Sequence, residues 1–395
     1  MAKKSRKPPT PARFGASQRL GTLLALLALL AAVTAMGIFL RASAAQAAWQ
    51  SPNVLADDPR IVYSELTGQQ STLWIASAVD LFRARPITTV SHREGYGLRA
   101  TLSPDGKRIA YLVLPASARK PWAEGALWVM GIDGRNPLQL LTNADMHSAP
   151  VWSRSGNQIL VRETSVSDER LQYTLIAVDT ESGSATKLVP ETAAAGLYPI
   201  GWSEDGLRLY YATLTREGTD IQQLELLSGQ VERVFHASDG IARDFRLSSQ
   251  GDRLLYSEYQ PSGQTAYRVR AADLGTGASR TFLQSDRALL SPVWRPGESA
   301  VTLGSEPAEA RLQGGLGALS GETARLDAMI APAPAGGFLA PLAWSSDGAF
   351  LAARLLHGDS LQQTDSERLV VVSPARHTTA EVAAKGYAEL VGWLP

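Results

Sequence analysis

Ser103-Pro104-Asp105-Gly106-Lys107-Arg108-Ile109-Ala110-Tyr111 sets a polar turn ahead of a short apolar strand, and the chain returns to this cassette again and again. Its copies read Leu102-Ser103-Pro104-Asp105-Gly106, Trp152-Ser153-Arg154-Ser155-Gly156, Trp202-Ser203-Glu204-Asp205-Gly206 and Leu247-Ser248-Ser249-Gln250-Gly251. Two more follow, Trp294-Arg295-Pro296-Gly297, which is one residue shorter, and Trp344-Ser345-Ser346-Asp347-Gly348. The closing glycines fall at 106, 156, 206, 251, 297 and 348, a spacing of 45 to 51 residues. A repeat of that length is one blade of a β-propeller.

Each cassette leads into the same series of elements. After Lys107-Arg108-Ile109-Ala110-Tyr111 comes a polar loop and a third strand, Ala126-Leu127-Trp128-Val129-Met130. Asp133-Gly134 then makes a hairpin turn in which glycine accepts a positive φ, and Leu138-Gln139-Leu140-Leu141-Thr142 is the fourth strand. Four antiparallel strands per repeat are a propeller blade. The third copy places its third strand at Leu224-Glu225-Leu226-Leu227, and the fifth is the weakest, since residues 306–322 are rich in Gly and Ala. The ends of the repeat region complement each other. Arg60-Ile61-Val62-Tyr63 matches the second strand of a unit, and the missing first strand is supplied by Leu390-Val391-Gly392-Trp393-Leu394-Pro395, which resembles Pro199-Ile200-Gly201-Trp202-Ser203. Pairing the two would close the ring and remove its open edges. Six cassettes and one split unit give an all-β, seven-bladed propeller over residues 59–395; six blades with an irregular N-terminal strand pair is the alternative.

From Ser103 to Tyr111, and on through Trp128-Val129-Met130, Asp133-Gly134 and Leu141-Thr142, the chain resembles the TolB-type (WD40-like) propeller repeat. The resemblance extends in weakening copies over about residues 59 to 395. It implies the propeller fold and says little of function, because the repeat occurs in transport-associated propellers, peptidase propeller domains and surface proteins. No α/β domain precedes the repeats as it does in TolB itself, so a role in that protein's envelope system does not carry over.

Residues 21–40 read GTLLALLALLAAVTAMGIFL, without a single charge. A helix of that length spans about 30 Å, the hydrocarbon thickness of a bilayer. Lys3, Lys4, Arg6, Lys7, Arg13 and Arg19 precede it and only Arg41 follows directly. The positive-inside bias therefore puts the basic stub 1–20 in the cytoplasm and everything beyond the linker 41–58 outside the cell membrane. Secretion after cleavage of a signal near Ala47, at Ala45-Gln46-Ala47, is the competing reading. The 38 basic and 38 acidic residues cancel, and no cysteine is present, which excludes disulfides and thiolate chemistry. No interleaving of aromatic and basic residues suggests a nucleic-acid surface.

Chemistry on this scaffold is sparse. There is no Gly-x-Ser-x-Gly elbow, no phosphate loop and no calcium-loop spacing. The histidines His92, His147, His236, His357 and His377 are scattered, with no local metal pair. Four residues before each cassette serine the register points to the axial mouth: Arg99, Ala149, Pro199, Asp244, Ser291, Pro341 and Leu390. Arg99, Asp244, the adjacent Arg243 and His147 are the polar candidates there for a ligand. Tyr96 and Trp122 are candidate anchors for a partner. These observations point to a non-catalytic binding scaffold for a protein or envelope component, without cofactor or metal. The alternative is a propeller enzyme or carbohydrate-binding protein working through the axial mouth on an envelope polysaccharide. Convergence of Arg99, His147 and Asp244 at one mouth would favour the alternative.

Overall fold

A computed structural model describes residues 58–120, 124–167, 170–192, 196–260, 266–297, 300–320 and 325–395. The basic stub, the apolar stretch 21–40, the site near Ala47 and Trp122 lie outside the described residues. Among the described residues no helix is long and apolar enough to cross a membrane.

The described chain is built from antiparallel sheets. One sheet joins both ends of the repeat region in the order Tyr387–Trp393, Arg60–Thr67, Gln70–Ser77 and Asp80–Ser91. An eight-stranded sheet follows. Its two four-strand sets, Arg99–Leu102 to Leu138–Ala144 and Val151–Trp152 to Ala185–Lys187, are linked by one pairing of Ala144 with Glu163. Four further four-stranded sheets start at Gly196–Trp202, Ile241–Leu247, Leu289–Trp294 and Gly337–Trp344. The first strands of successive sets touch in sequence, and Gly337–Trp344 touches Tyr387–Trp393, which in turn touches Arg99–Leu102. The sets therefore close into a ring around an axis.

Period-2 alternation explains how the ring packs. The second strand Arg108–Val113 is apolar on both faces because it lies between two sheets. Ile109, Tyr111 and Val113 pack with Val62, Leu73 and Val391 of the preceding set. Ala110 and Leu112 pack the other way, with Trp152, Ile159 and Val161 of the following one. Leu209 and Tyr211 against Tyr210 and Ala212 repeat this division two units later. The core is thus a circular series of inter-sheet layers.

The cassette supplies the local turn chemistry. Each serine hydroxyl accepts the N–H of the residue five positions on: Arg108 to Ser103 at 2.9 Å, Gln158 to Ser153 at 3.0 Å, Arg253 to Ser248 at 3.1 Å. Where Asp follows, the hydroxyl donates to it, at 2.6 Å from Ser103 to Asp105, and Asp105 also accepts the Lys107 N–H at 3.1 Å. Those two bonds hold the Asp105 carboxyl below its usual range, the serine bond contributing most. Gly106, at φ +67°, takes the left-handed conformation that completes the turn. In the fifth copy Arg295 replaces serine, and the backbone bond from Arg295 N–H to Ala300 O, at 3.0 Å, closes the turn.

The cassette tryptophans do more than fill the core. Four indole N–H groups reach back to the preceding unit, Trp152 to Thr101 O at 3.4 Å, Trp294 to Arg246 O at 3.0 Å, Trp344 to Thr302 Oγ1 at 3.1 Å and, in the closing strand, Trp393 to Ala343 O at 2.9 Å, whereas the buried Trp202 indole N–H has no such partner. Arg108 and Arg253 stack over Trp152 and Trp294, with guanidinium carbons 5.1 and 4.9 Å from the ring centroids.

Two strand expectations shift. The third strand of the third unit is Gly218–Glu225, so Leu226 and Leu227 fall in the turn, and Leu227 is 80% exposed. Glu225 causes this, since its side chain accepts the Ser228 N–H at 2.6 Å and its carbonyl accepts that of Gly229 at 2.8 Å. In the fifth unit the Gly/Ala-rich stretch does form a third strand, Leu316–Ser320, anchored by buried Leu316 and Leu319. Glu309 organises the chain before it by accepting the N–H groups of Arg311 and Leu312 at 2.9 and 2.8 Å.

One expected result tests the cassette directly. Ser345 is buried, accepts the Phe350 N–H at 3.0 Å and donates to Asp347 at 2.5 Å. Ser345→Ala strands that N–H and should cost about 1–3 kcal/mol in chemical denaturation. An unchanged midpoint would mean that the hydroxyl is dispensable to the turn.

Candidate functional site

The strands that face the axis are not regular. Pairing shifts register between Pro199 and Gly201, Arg243 and Arg246, Leu290 and Val293, and Pro341 and Ala343. These bulges fall at the mouth positions singled out by the cassette register. Asp244 at φ +59° and Ser291 at φ +39° adopt the left-handed conformation there, which Asp tolerates better than most residues. A bulge re-aims its side chain. Asp244 turns beside Arg243, whose Nε lies 3.7 Å from its Oδ2.

Arg99 and His147 meet in a cleft of about 370 Å³ at the end of the ring opposite the cassette turns. Tyr96, Met146, Tyr387 and Glu389 line it with them, as do Leu66 and Ser71 at the ends of their strands. Arg243 and Asp244 do not line it. Of the three residues whose convergence would favour the alternative reading, the cleft brings together Arg99 and His147, with Tyr96 beside them, but not Asp244. Trp122 lies outside the described residues.

Each charged group at the cleft is held. Arg99 Nη1 donates to Glu389 Oε1 at 2.7 Å, bridging two first strands that are 290 residues apart in sequence. Arg354 sits over the Tyr387 ring, 4.9 Å from its centroid, and donates to Glu367 at 2.9 Å. Burial raises the Tyr387 phenol above its usual value, and Arg354 partly opposes the shift.

His147 ends a buried polar chain. Its Nδ1 lies 2.7 Å from Asp145 Oδ1, which also accepts the His147 backbone N–H at 3.0 Å. The other oxygen of Asp145 is paired with the guanidinium of Arg162. Arg162 donates from Nη1 to Leu197 O at 3.0 Å and lies between the rings of Tyr173 and Tyr198, at 4.9 and 5.4 Å from their centroids. The side chains of Arg162 and Asp145 are 3% and 2% exposed, whereas that of His147 is 74% exposed. When the ring is neutral and Nδ1 donates to the carboxylate, Nε2 is left as the acceptor on this exposed side chain.

Sequence reasoning misses Asp145, Arg162, Tyr387 and Glu389. Two signals are present: the Asp145-x-His147 spacing, and a charge, Arg162, ending the apolar run Ile159-Leu160-Val161. His92 and His236 are held by other groups. His92 is fully buried, with Nδ1 2.8 Å from Arg93 O and Nε2 3.0 Å from Ser71 Oγ. His236 sits between Asp220 and Asp239 at 2.7 and 3.0 Å. Among the described residues no three His, Asp or Glu side chains gather in a way that would hold a metal ion.

No family model and no curated protein matches the chain. Solved structures do match. TolB from Acinetobacter baumannii superposes with a TM-score of 0.51 at 15% identity, covering 85% of this chain and 67% of that one. An oligogalacturonate lyase in complex with manganese gives 0.51 at 12% identity, covering 84% and 86%. A prolyl endopeptidase gives 0.58 at 13% identity, and the chain spans about half of it, 48% against 84% of its own length. At these identities the likeness concerns the fold, which is that of a TolB-like β-propeller.

Proposed function

We propose that this TolB-like β-propeller is a non-catalytic scaffold that binds a protein or envelope component at the cell membrane. Residues 21–40 would anchor it, with the stub 1–20 in the cytoplasm and the propeller outside. Counting the eight-stranded sheet as two blades gives seven, the last closed by strands from both ends of the repeat region. The observation that carries the reading is the cleft. It gathers exposed Tyr96 and Tyr387, the Arg99–Glu389 pair and His147 in one place on a rigid ring. Aromatic and arginine side chains held rigidly in a concave site are what binding hot spots use.

Capture from native membranes with the tagged full-length chain tests the reading. A stoichiometric component should be enriched by the wild type and about tenfold less by Arg99→Ala/His147→Ala. Enrichment of nothing above background by the wild type would overturn it. For the placement, a reporter active only outside the cytoplasm, fused after Pro395, is expected to be active. A silent reporter on a folded fusion would refute an extracytoplasmic propeller.

A further inference from the structure

We infer that the cleft binds an uncharged, hydroxyl-rich sugar ring, with His147 Nε2 accepting a hydroxyl proton in a hydrogen bond. The inference rests on the scaffold reading and names the chemistry of the envelope component that this cleft recognises.

Three features of the site converge on such a ligand. The first is His147. Its Nδ1 is tied to Asp145, and Asp145 is locked by Arg162, so the imidazole is oriented by groups it does not share with solvent. A buried ion pair costs desolvation energy and is weak as a source of stability. Here the chain ends in an exposed imidazole whose Nε2 stands outside the Asp145 bond, which is the arrangement needed to present a fixed acceptor.

The second is the Arg99–Glu389 pair. It sets guanidinium donors beside carboxylate acceptors 2.7 Å away, with both side chains partly exposed at the cleft. Neighbouring sugar hydroxyls each donate and accept, so one can bond Arg99 while the next bonds Glu389. A free carboxylate or phosphate would gain far less. Glu389 already neutralises the Arg99 guanidinium, and Glu367 does the same for Arg354 beside Tyr387. An anion drawn to Arg99 would meet the repelling Glu389 carboxylate there.

The third is the wall. Tyr96, Tyr387 and Met146 provide apolar surface with polar tips, suited to the C–H face of a sugar ring. The volume of about 370 Å³ lies in the lower part of the range for small-ligand sites, enough for a short saccharide.

The test uses the full-length protein in a detergent without a sugar headgroup. Calorimetry or saturation-transfer NMR would compare chitotetraose and cellotetraose with the charged tetragalacturonate. At least one neutral tetrasaccharide is expected to bind, and tetragalacturonate about tenfold more weakly. His147→Ala and Tyr387→Ala should each weaken the neutral sugar by about tenfold, while circular dichroism shows both variants folded. The exposed His147 makes the first of these a safe variant for folding. Absence of neutral-sugar binding, tighter binding of tetragalacturonate, or an unchanged affinity in folded His147→Ala would each overturn the inference. Membrane capture separates the two readings: a captured component with no neutral-sugar binding defeats the sugar inference and leaves the scaffold standing. Neutral-sugar binding lost in His147→Ala supports the inference even where no protein is captured.

Discussion

Arg162→Ala is expected to destabilise the propeller by about 3–5 kcal/mol, the scale for removing one partner of a buried ion pair. The Asp145 carboxylate would stay buried without its counter-ion, and Leu197 O would lose its donor. The rings of Tyr173 and Tyr198 would also lose the guanidinium between them. Since these groups belong to three successive strand sets, the loss weakens two junctions of the ring at once. Total stability for a folded protein is typically about 5–15 kcal/mol, so a large share goes with one side chain. Equilibrium guanidinium unfolding measures it. Asp145→Asn/Arg162→Met removes both charges and should recover much of the loss, because the cost lies in the unpaired carboxylate. Equal midpoints for Arg162→Ala and the wild type would show that the Asp145 carboxylate is not buried in solution.

The cassette is legible in the sequence because its chemistry is local. Serine, aspartate and glycine act within six residues, from Ser103 to Arg108, and they recur wherever the turn recurs. Strand registers are readable for the same reason, as apolar runs such as Ile109-Ala110-Tyr111 are bounded by those turns. The likeness of Leu390-Val391-Gly392-Trp393 to an inner strand is visible too, and the structure pairs Tyr387–Trp393 with Arg60–Thr67.

The site is legible only in fragments. Register nominates Arg99 and the nearby His147, and Tyr96 stands out as an aromatic anchor, yet none of these readings reaches their partners. Glu389 lies 290 residues from Arg99, and Arg162 lies 17 from Asp145 on another strand set. Those contacts depend on how sheets face each other, which no local pattern encodes. Asp244 marks a second limit of register. It stands on an inner strand as its register suggests, but a bulge and a left-handed backbone redirect its side chain. Bulges insert a residue without a strong sequence mark, so a register argument carries across them only approximately.

Removing residues 387–395 is expected to abolish the folded monomer. The deletion takes away the strand Tyr387–Trp393 and opens the edge of Arg60–Thr67, whose residues from Ile61 to Leu66 pair with it. It strips buried Ala388 from the layer shared with the last set, and Val391 and Leu394 from the layer shared with the Arg99–Ala144 set. At about 1.5–3 kcal/mol for each fully buried Val or Leu side chain, Val391 and Leu394 together contribute about 3–6 kcal/mol before hydrogen bonds are counted. The Trp393 indole bond to Ala343 O goes too, as does the Leu394 N–H bond to Arg60 O at 2.8 Å. Glu65 is left without a strand to position, since it clasps the turn into this one by accepting the N–H groups of Lys385 and Gly386 at 2.5 and 3.0 Å. A newly exposed, largely apolar strand edge is a template for pairing with other chains. Size-exclusion chromatography and circular dichroism of the truncated protein should therefore show aggregate or loss of the cooperative melt. Adding a synthetic peptide of residues 386–395 during refolding should restore part of the monomer, because it supplies the missing strand in trans. A truncated protein that stays monomeric with the wild-type melting curve would mean that the ring does not depend on this closure.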